Sequence, residues 1–427
     1  MTTTVLDTDL LTPLAAYLRI RAGATGSFLL ESVEQGRLGR HSFVGRGARL
    51  VSFTEAEGID APVVGYLGYD HIATLEPTVP LPAAGPDVPE SCFVVADIFL
   101  RFDHLSGTAE VLHGDPEEVA RLLAEPPAPL APASAAGGPT VRYPDQAAHE
   151  RRVERVQEHI RRGDAFQIVL SQRAERPTHA TPLAVYRALR RINPSPYLFL
   201  LELGDLALVG SSPETHVKVA DARASLNPIA GTTARGDGDA ERLLASEKDR
   251  AEHVMLVDLG RNDLSRVCRP GSVQVERFLE PERFSHVTHL VSEVAGDLQD
   301  GVTPFDVLRA TFPAGTVSGA PKVRAMQIIS ELEGYRRGTY GGVVGYHAPG
   351  HAGQRGTLDT CIAIRTVLLR DGRAYLQAGG GIVADSVPAD EHQECLNKLA
   401  ALEAALVSAE TPSASWGVAD AGHGGEP

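Results

Sequence analysis

Apolar positions recur along the chain at two periods. Period-two runs read as strands at 27–34 (SFLLESVE), 42–55 (SFVGRGARLVSFTE), 62–70 (PVVGYLGYD) and 92–102 (CFVVADIFLRF). Further strands are expected at AFQIVLSQR, YLFLLEL, LALVGSSPE, HVKVAD, VVGYHA, LDTCIAIRTVLLR and RAYLQAGGGIV. Helical spacing appears over 10–21, about 144–162 with Gly163 as the residue after the C-cap, 246–266, and onward from a start announced by Ser386 and Pro388. That last helix is two-faced. Cys395, Leu399, Leu402 and Leu406 form an apolar stripe, while Glu391, Glu394 and Lys398 recur at i, i+3 and i+7 on another face.

These patterns divide the chain into an N-terminal α/β segment at 1–124, a Pro/Ala/Gly-rich linker at 125–140, a main domain at 141–408 and a disordered tail at 409–427. No internal repeat is visible. Because the strands lack regular helical crossovers, the expected class is α/β of the α+β kind, with large antiparallel sheets and helices outside.

Composition narrows the function classes. The chain has 427 residues and a formal net charge of −15, with a pI of about 5.5 and no Lys/Arg cluster. This argues against nucleic acid or an anionic membrane surface as partner. The four cysteines, Cys92, Cys268, Cys361 and Cys395, never form a CxxC, which suits a reduced, cytoplasmic protein. The N-terminus lacks a basic region followed by an apolar one, and no apolar run reaches spanning length, so a soluble protein is expected.

Several stretches can carry chemistry. Asp249 and Glu252, at i and i+3 in 246–266, make a second carboxylate pair to face Glu391 and Glu394; two such helices can clamp a hard cation. A solvated face with i, i+4 ion pairs is the plain alternative. Gly379, Gly380 and Gly381 read as a turn whose amides can approach a ligand. PIAGTTARG (228–236) reads as another turn of small residues, and FPAGTVSGAPK (312–322) as an anion cradle with Thr316 and Ser318 before a helix, or as an ordinary loop. His289 lies three residues after His286 on an amphipathic run; a packed core histidine is the commoner reading, and zinc is poorly supported. Arg365 is an isolated cation in an apolar strand, and burying it is costly unless a carboxylate pairs with it.

The blocks PIAGT, RAEHVMLVDLGRNDLSRV, SHVTHLVSEV, FPAGTVSGAPK, GGVVGY, LDTCIAIRT and QAGGGIVADSVPADEHQECLNK stand in one order. That order resembles the chorismate-utilising enzymes, and among them the large subunits of anthranilate synthase. The resemblance is dense over 140–408 and looser before it, through YLRIR, SFLLES, GRHSFVG and GYLGYD. It implies the chorismate-binding fold, two large antiparallel sheets packed together, with 141–408 as the catalytic domain.

It also implies roles. Glu252 and Glu394 would ligate Mg²⁺, supported by Asp249 and Glu391. Tyr340, Arg365, Lys398 and the backbones of Gly231, Thr232, Gly379, Gly380 and Gly381 would hold the two carboxylates of chorismate. Thr316 would sit near the ring, and His289 would be the general acid/base. Relatives that add water at ring C2 carry a lysine where this chain has Gln167, and aminodeoxychorismate synthases commonly carry one where it has Ala230. An amide cannot take a proton from water, so direct amination at C2 is expected. Anthranilate with release of pyruvate is the first outcome; 2-amino-2-deoxyisochorismate, formed without elimination, is the alternative.

None of the cysteines sits in a glycine-rich nucleophile elbow, so ammonia is expected from a separate glutamine amidotransferase subunit in a hetero-oligomer. The resemblance further implies a tryptophan feedback pocket. Its walls would be Leu30, Glu31 and Ser32; Pro194, Ser195, Pro196, Tyr197 and Leu198; Gly345 and Tyr346; and Asp359 and Cys361. Two departures stand out: Thr233 replaces an arginine usual in the family, and the segment between Phe53 and Pro62 is short.

Overall fold

The structure, a computed structural model, describes residues 4–8, 10–32, 39–127, 136–283, 287–350 and 355–411. Among these, strands pair antiparallel into two sheets of 12 and 10 strands. Strands from before and after the 125–140 stretch share both sheets. Gly26–Glu31 pairs with Tyr197–Leu203 in the larger, and Val63–Leu67 pairs with Val343–Ala348 in the smaller.

The sheets pack face to face because alternate residues of both are large and apolar. Phe28, Phe99, Phe199, Leu201 and Leu208 of the larger sheet meet Val64, Tyr66, Val94, Val344 and Cys361 of the smaller in one buried cluster. Helices cover the outer faces. On the larger sheet, Pro388–Glu410 buries Leu399, Leu402 and Leu406 against Pro182–Ile192 and the strands beneath, as its apolar stripe requires.

Several expectations change in detail. The 42–55 run is not one strand but His41–Gly47, Arg49–Val51 and a short helix Phe53–Ala56. A capping box between Ser52 and Glu55 supplies the orphan amides there and overrides the apolar alternation. The 92–102 and 358–370 runs each split into two strands, one per sheet: Ser91–Val95 with Ile98–Asp103, and Thr357–Ile362 with Thr366–Arg370. Each reads as continuous because both halves are buried. PIAGTTARG is no turn either: Ile229–Ala234 is a strand on Val287–Asp297, with an irregularity at Gly231, whose φ is +76°.

The helices lie close to expectation. Glu247–Ser265 starts on the Ser246 cap, and Gln146–Arg161 starts later than read because Asp145 caps it. Ser386 does not cap Pro388–Glu410; Val387 is the N-cap, and the Ser386 hydroxyl accepts from the Val383 amide. Residues 33–34 of the first strand run, 128–135 of the linker, His286, and 412–427 of the tail lie outside the described residues. No described helix is long and apolar enough to cross a membrane.

Candidate active site

Between the two sheets' ends opens a cleft of about 1360 Å³. One wall is the helix Glu247–Ser265 with the strands Ile229–Ala234 and Val287–Asp297. The other is Gln167–Pro177, Arg373–Ile382 and the helix Pro388–Glu410. Asp249 and Glu252 line the first wall; Glu391, Glu394 and Lys398 line the second. The two carboxylate pairs therefore face one cavity, and Lys248 stands near enough to act on the Glu391 charge. Burial raises the Glu391 pKa, and the neighbouring Glu394 charge adds to it. Lys398 Nζ lies 2.6 Å from Glu394 Oε1 and donates to the Gly379 carbonyl at 2.7 Å.

The three glycines lie inside the strand Arg373–Ile382, not in a turn. Their use is close approach. A Cβ at Gly380 would sit 3.0 Å from Glu391 Oε2 and 3.6 Å from Glu394 Oε1, so the missing side chain lets both acids lie on the strand. A Cβ at Gly379 would be 2.8 Å from the Tyr340 hydroxyl, and one at Gly381 would overlap Gln167. Beyond Leu376 one edge of this strand has no strand partner among the described residues, leaving alternate backbone groups directed away from the sheet. Burial keeps the Tyr340 phenol protonated, hence a donor.

Opposite, His289 stands on Val287–Asp297, paired with Thr232, whose side chain lies outside the described set. Its Nδ1 lies 3.4 Å from the Gly231 carbonyl, an acceptor only, so Nδ1 carries the proton and Nε2 is the basic nitrogen. Burial lowers its pKa, aided by Arg365, so the ring is neutral near pH 7. A Cβ at Gly231 would meet Asp249 at 3.2 Å; the glycine lets the acid helix close on the strand.

Arg365 is not mid-strand. It sits at the switch between the two sheets with a φ of +49°, unusual for a side chain of its size, and its backbone carbonyl accepts from the Ser211 amide. The carboxylate opposite it is the protein's own Glu214. Sequence reading missed Glu214 altogether. It follows Pro213 outside any periodic pattern, and only burial reveals it: desolvation pushes its pKa up to about 7, against the pull of Thr316, Lys398 and Arg365. Thr316 lines the cleft, whereas the Ser318 hydroxyl turns inward and donates to the Ala314 carbonyl, so only part of the expected anion cradle is open.

Gln167 and Ala230 also line the cleft, and the Gln167 amide donates to Glu252 Oε1 at 2.9 Å. Arg235 and Lys248 add cations to the same cleft. Among the described residues no three His, Cys, Asp or Glu converge closely enough to hold a metal ion. The acid pairs occupy separate walls.

The second residue set converges around the inter-sheet seam. Glu31, 6 % exposed, accepts from the Tyr186 hydroxyl and pairs with Arg190 at 3.3 Å. Ser32 Oγ is buried without a partner among the described residues. Tyr197 bonds Thr215 at 2.8 Å and Asp359 at 3.4 Å, while Lys218 bridges Asp359 at 3.3 Å. Leu30 and Tyr346 pack on the cluster that holds Cys361, Gly345 pairs with Thr360, and Leu198 pairs with Glu31. Pro194, Ser195 and Pro196 reach the cleft.

The family model for chorismate binding enzymes matches residues 15–404. The chain is 43 % identical to anthranilate synthase component 1 of Thermus thermophilus, covering 94 % of this chain and 96 % of that one. It is 42 % identical to the Streptomyces coelicolor protein of the same name, covering 94 % and 88 %. The solved anthranilate synthase component I of Streptococcus pneumoniae superposes with a TM-score of 0.77 at 33 % identity, covering 93 % and 99 %. The menaquinone-specific isochorismate synthase of Escherichia coli shares the fold, with a TM-score of 0.74 at 22 % identity, covering 95 % and 94 %.

Proposed function

The chain belongs to the chorismate-binding enzymes, and from that premise we infer that it is the synthase component of anthranilate synthase, a lyase converting chorismate and ammonia to anthranilate and pyruvate. The observation that carries this reading is the company kept in one cleft. A carboxyl that is protonated near neutrality and a neutral imidazole stand beside two carboxylate pairs, with Gln167 and Ala230 where a different reaction would need lysines.

The residues then divide the work. Arg365, Tyr340, Lys398 and the open backbone edge at Gly379 and Gly381 hold the substrate carboxylates. Hard oxygen donors without sulfur or imidazole among them fit Mg²⁺, with Glu252 and Glu394 as ligands and Asp249 and Glu391 behind them. The separation of the pairs suits an ion that keeps several waters. When bound, Mg²⁺ would offset the repulsion between a dianionic substrate and an acidic cleft.

Glu214 donates a proton to the C4 hydroxyl, which leaves as water as the ammonia lone pair bonds to C2. His289 Nε2 then removes the C2 proton. The ring becomes aromatic, the C3–oxygen bond breaks, and the departing enolpyruvyl group takes the proton from His289 to become pyruvate, while the new C2 ammonium returns its extra proton to the Glu214 carboxylate and is left as the amine. Gln167 cannot deprotonate water, which disfavours isochorismate; Ala230 offers no amine for a covalent adduct.

Ammonia comes from a separate glutamine amidotransferase, the partner of component 1 enzymes. Tryptophan as feedback inhibitor at the seam of Glu31, Ser32, Tyr197 and Asp359 is a further part of the reading, and titration calorimetry without heat at millimolar tryptophan would remove it. The roles themselves are tested by Glu394→Ala, expected to abolish turnover with the circular dichroism spectrum unchanged; surviving activity would overturn the metal assignment. His289→Phe is expected to retain chorismate consumption while pyruvate release falls about 100-fold. Parallel loss of both would remove its role in elimination.

A further inference from the structure

Of the sequence blocks that carry the family resemblance, GYLGYD (65–70) contributes no residue to the cleft lining. Its last two residues lead instead to a cation buried behind that lining. Arg337, 3 % exposed, follows the helix Lys322–Glu333. Burying a guanidinium is costly unless it is paired, and Glu333 meets it with a two-pronged fork. Nε donates to Glu333 Oε2 at 2.9 Å and Nη2 to Glu333 Oε1 at 2.7 Å. Nη2 also donates to the Val169 carbonyl at 2.9 Å, and Nη1 to the Val317 carbonyl at 2.6 Å.

Every branch of this network ends on the substrate side. Val317 lines the cleft beside Thr316, and Val169 is the register partner of Gly381. Glu333 Oε1 also accepts from the Ser171 amide at 2.9 Å and the Ser171 hydroxyl at 2.7 Å, and Ser171 is the register partner of Gly379. The Tyr340 amide donates to the Arg337 carbonyl at 3.1 Å, and the Tyr340 ring centre lies 5.4 Å from the guanidinium. From the N-terminal part, the Tyr69 ring lies 4.6 Å from the same cation. Asp70 accepts from the Arg337 and Gly338 amides, both at 3.1 Å.

We propose that Arg337 is a positioning residue of the cleft: it fixes Tyr340, the Thr316 loop and the Gly379–Gly381 edge relative to one another, and so sets the affinity for chorismate. The inference rests on the binding roles proposed above and names what holds those groups in place. Four separate stretches of chain converge on one cation, and a planar fork fixes direction as well as distance. Groups that must meet a substrate to within about 0.5 Å need support of this kind.

The test reads binding separately from chemistry. Arg337→Lys keeps the buried charge and loses the fork. Chorismate affinity, titrated calorimetrically with Mg²⁺ present, should weaken at least ~10-fold and the chorismate KM rise with it, while kcat stays within ~3-fold. A lone change in a buried pair can unfold a protein, so Glu333→Gln with Arg337→Met removes both charges together and leaves an amide oxygen to serve Ser171. The same split is expected. Ser171→Ala, the mildest change, removes one hydroxyl of the network and should raise the chorismate KM ~3-fold. Leu122→Ala, in the N-terminal helix Pro116–Ala124, supplies the reading for lost stability alone: a lower melting temperature with the chorismate KM unchanged. Unchanged chorismate affinity in the folded variants, or a loss confined to kcat, overturns the positioning role. A parent chain that binds no chorismate overturns the binding reading beneath it.

Discussion

Glu214 owes its chemistry to the place where the fold puts it. A carboxyl at about pH 7 serves as an acid only while protonated, so kcat measured at saturating ammonia should fall tenfold per pH unit above about 7. His289 works in the opposite sense. Its lowered pKa keeps the base form present down through the ordinary imidazole range, so its limb lies on the acid side. Glu214→Gln should lower kcat about 100-fold and erase the alkaline limb, with the chorismate KM little changed. A profile that keeps its alkaline limb would show that another group donates the proton. Gly380→Ala is the steric counterpart. Its new Cβ would press on Glu391 Oε2 at 3.0 Å, and the apparent Mg²⁺ affinity should weaken ~10-fold while the melting temperature holds. At this scale the acid pairs were legible because helical spacing prints them on one face. Glu214 was not, because burial leaves no period in a sequence. Arg365 was half legible: the lone cation was visible, its own internal counter-charge was not.

Elements were read best where one period runs long. The helix Pro388–Glu410 announced both its faces, and its apolar one is buried, with Leu402 fully inaccessible. Leu402→Ala should therefore cost about 3 kcal/mol in chemical denaturation while the folded fraction keeps its kcat. A loss of kcat without loss of stability would mean that the helix positions Glu394 through this contact. Short-range reading failed at the two sheet-to-sheet switches, at 96–97 and 363–365. Both flanking strands are buried there, so the apolar pattern resumes at once after a single charged residue, Asp97 or Arg365, while the chain changes sheets. The glycine stretch 379–381 failed for a related reason: glycine usually signals a turn, and here its missing side chains make room for Glu391, Tyr340 and Gln167.

The whole molecule sets an acidic chain, formal charge −15, against a dianionic substrate. It resolves this locally, with Arg235, Lys248, Arg365 and Lys398 gathered around the acid pairs in one cleft. Two sheets whose strands come from both ends of the chain hold the opposing walls, so the cleft belongs to the fold and not to a single loop. The antiparallel class was legible from strands without helical crossovers; the cleft itself required the pairing of distant strands. The central claim is that this cleft aminates chorismate and completes the elimination. The direct measurement incubates the purified chain with chorismate, Mg²⁺ and ammonium at alkaline pH and follows anthranilate fluorescence and pyruvate together. Equimolar anthranilate and pyruvate is the predicted result. Chorismate loss without pyruvate would contradict it.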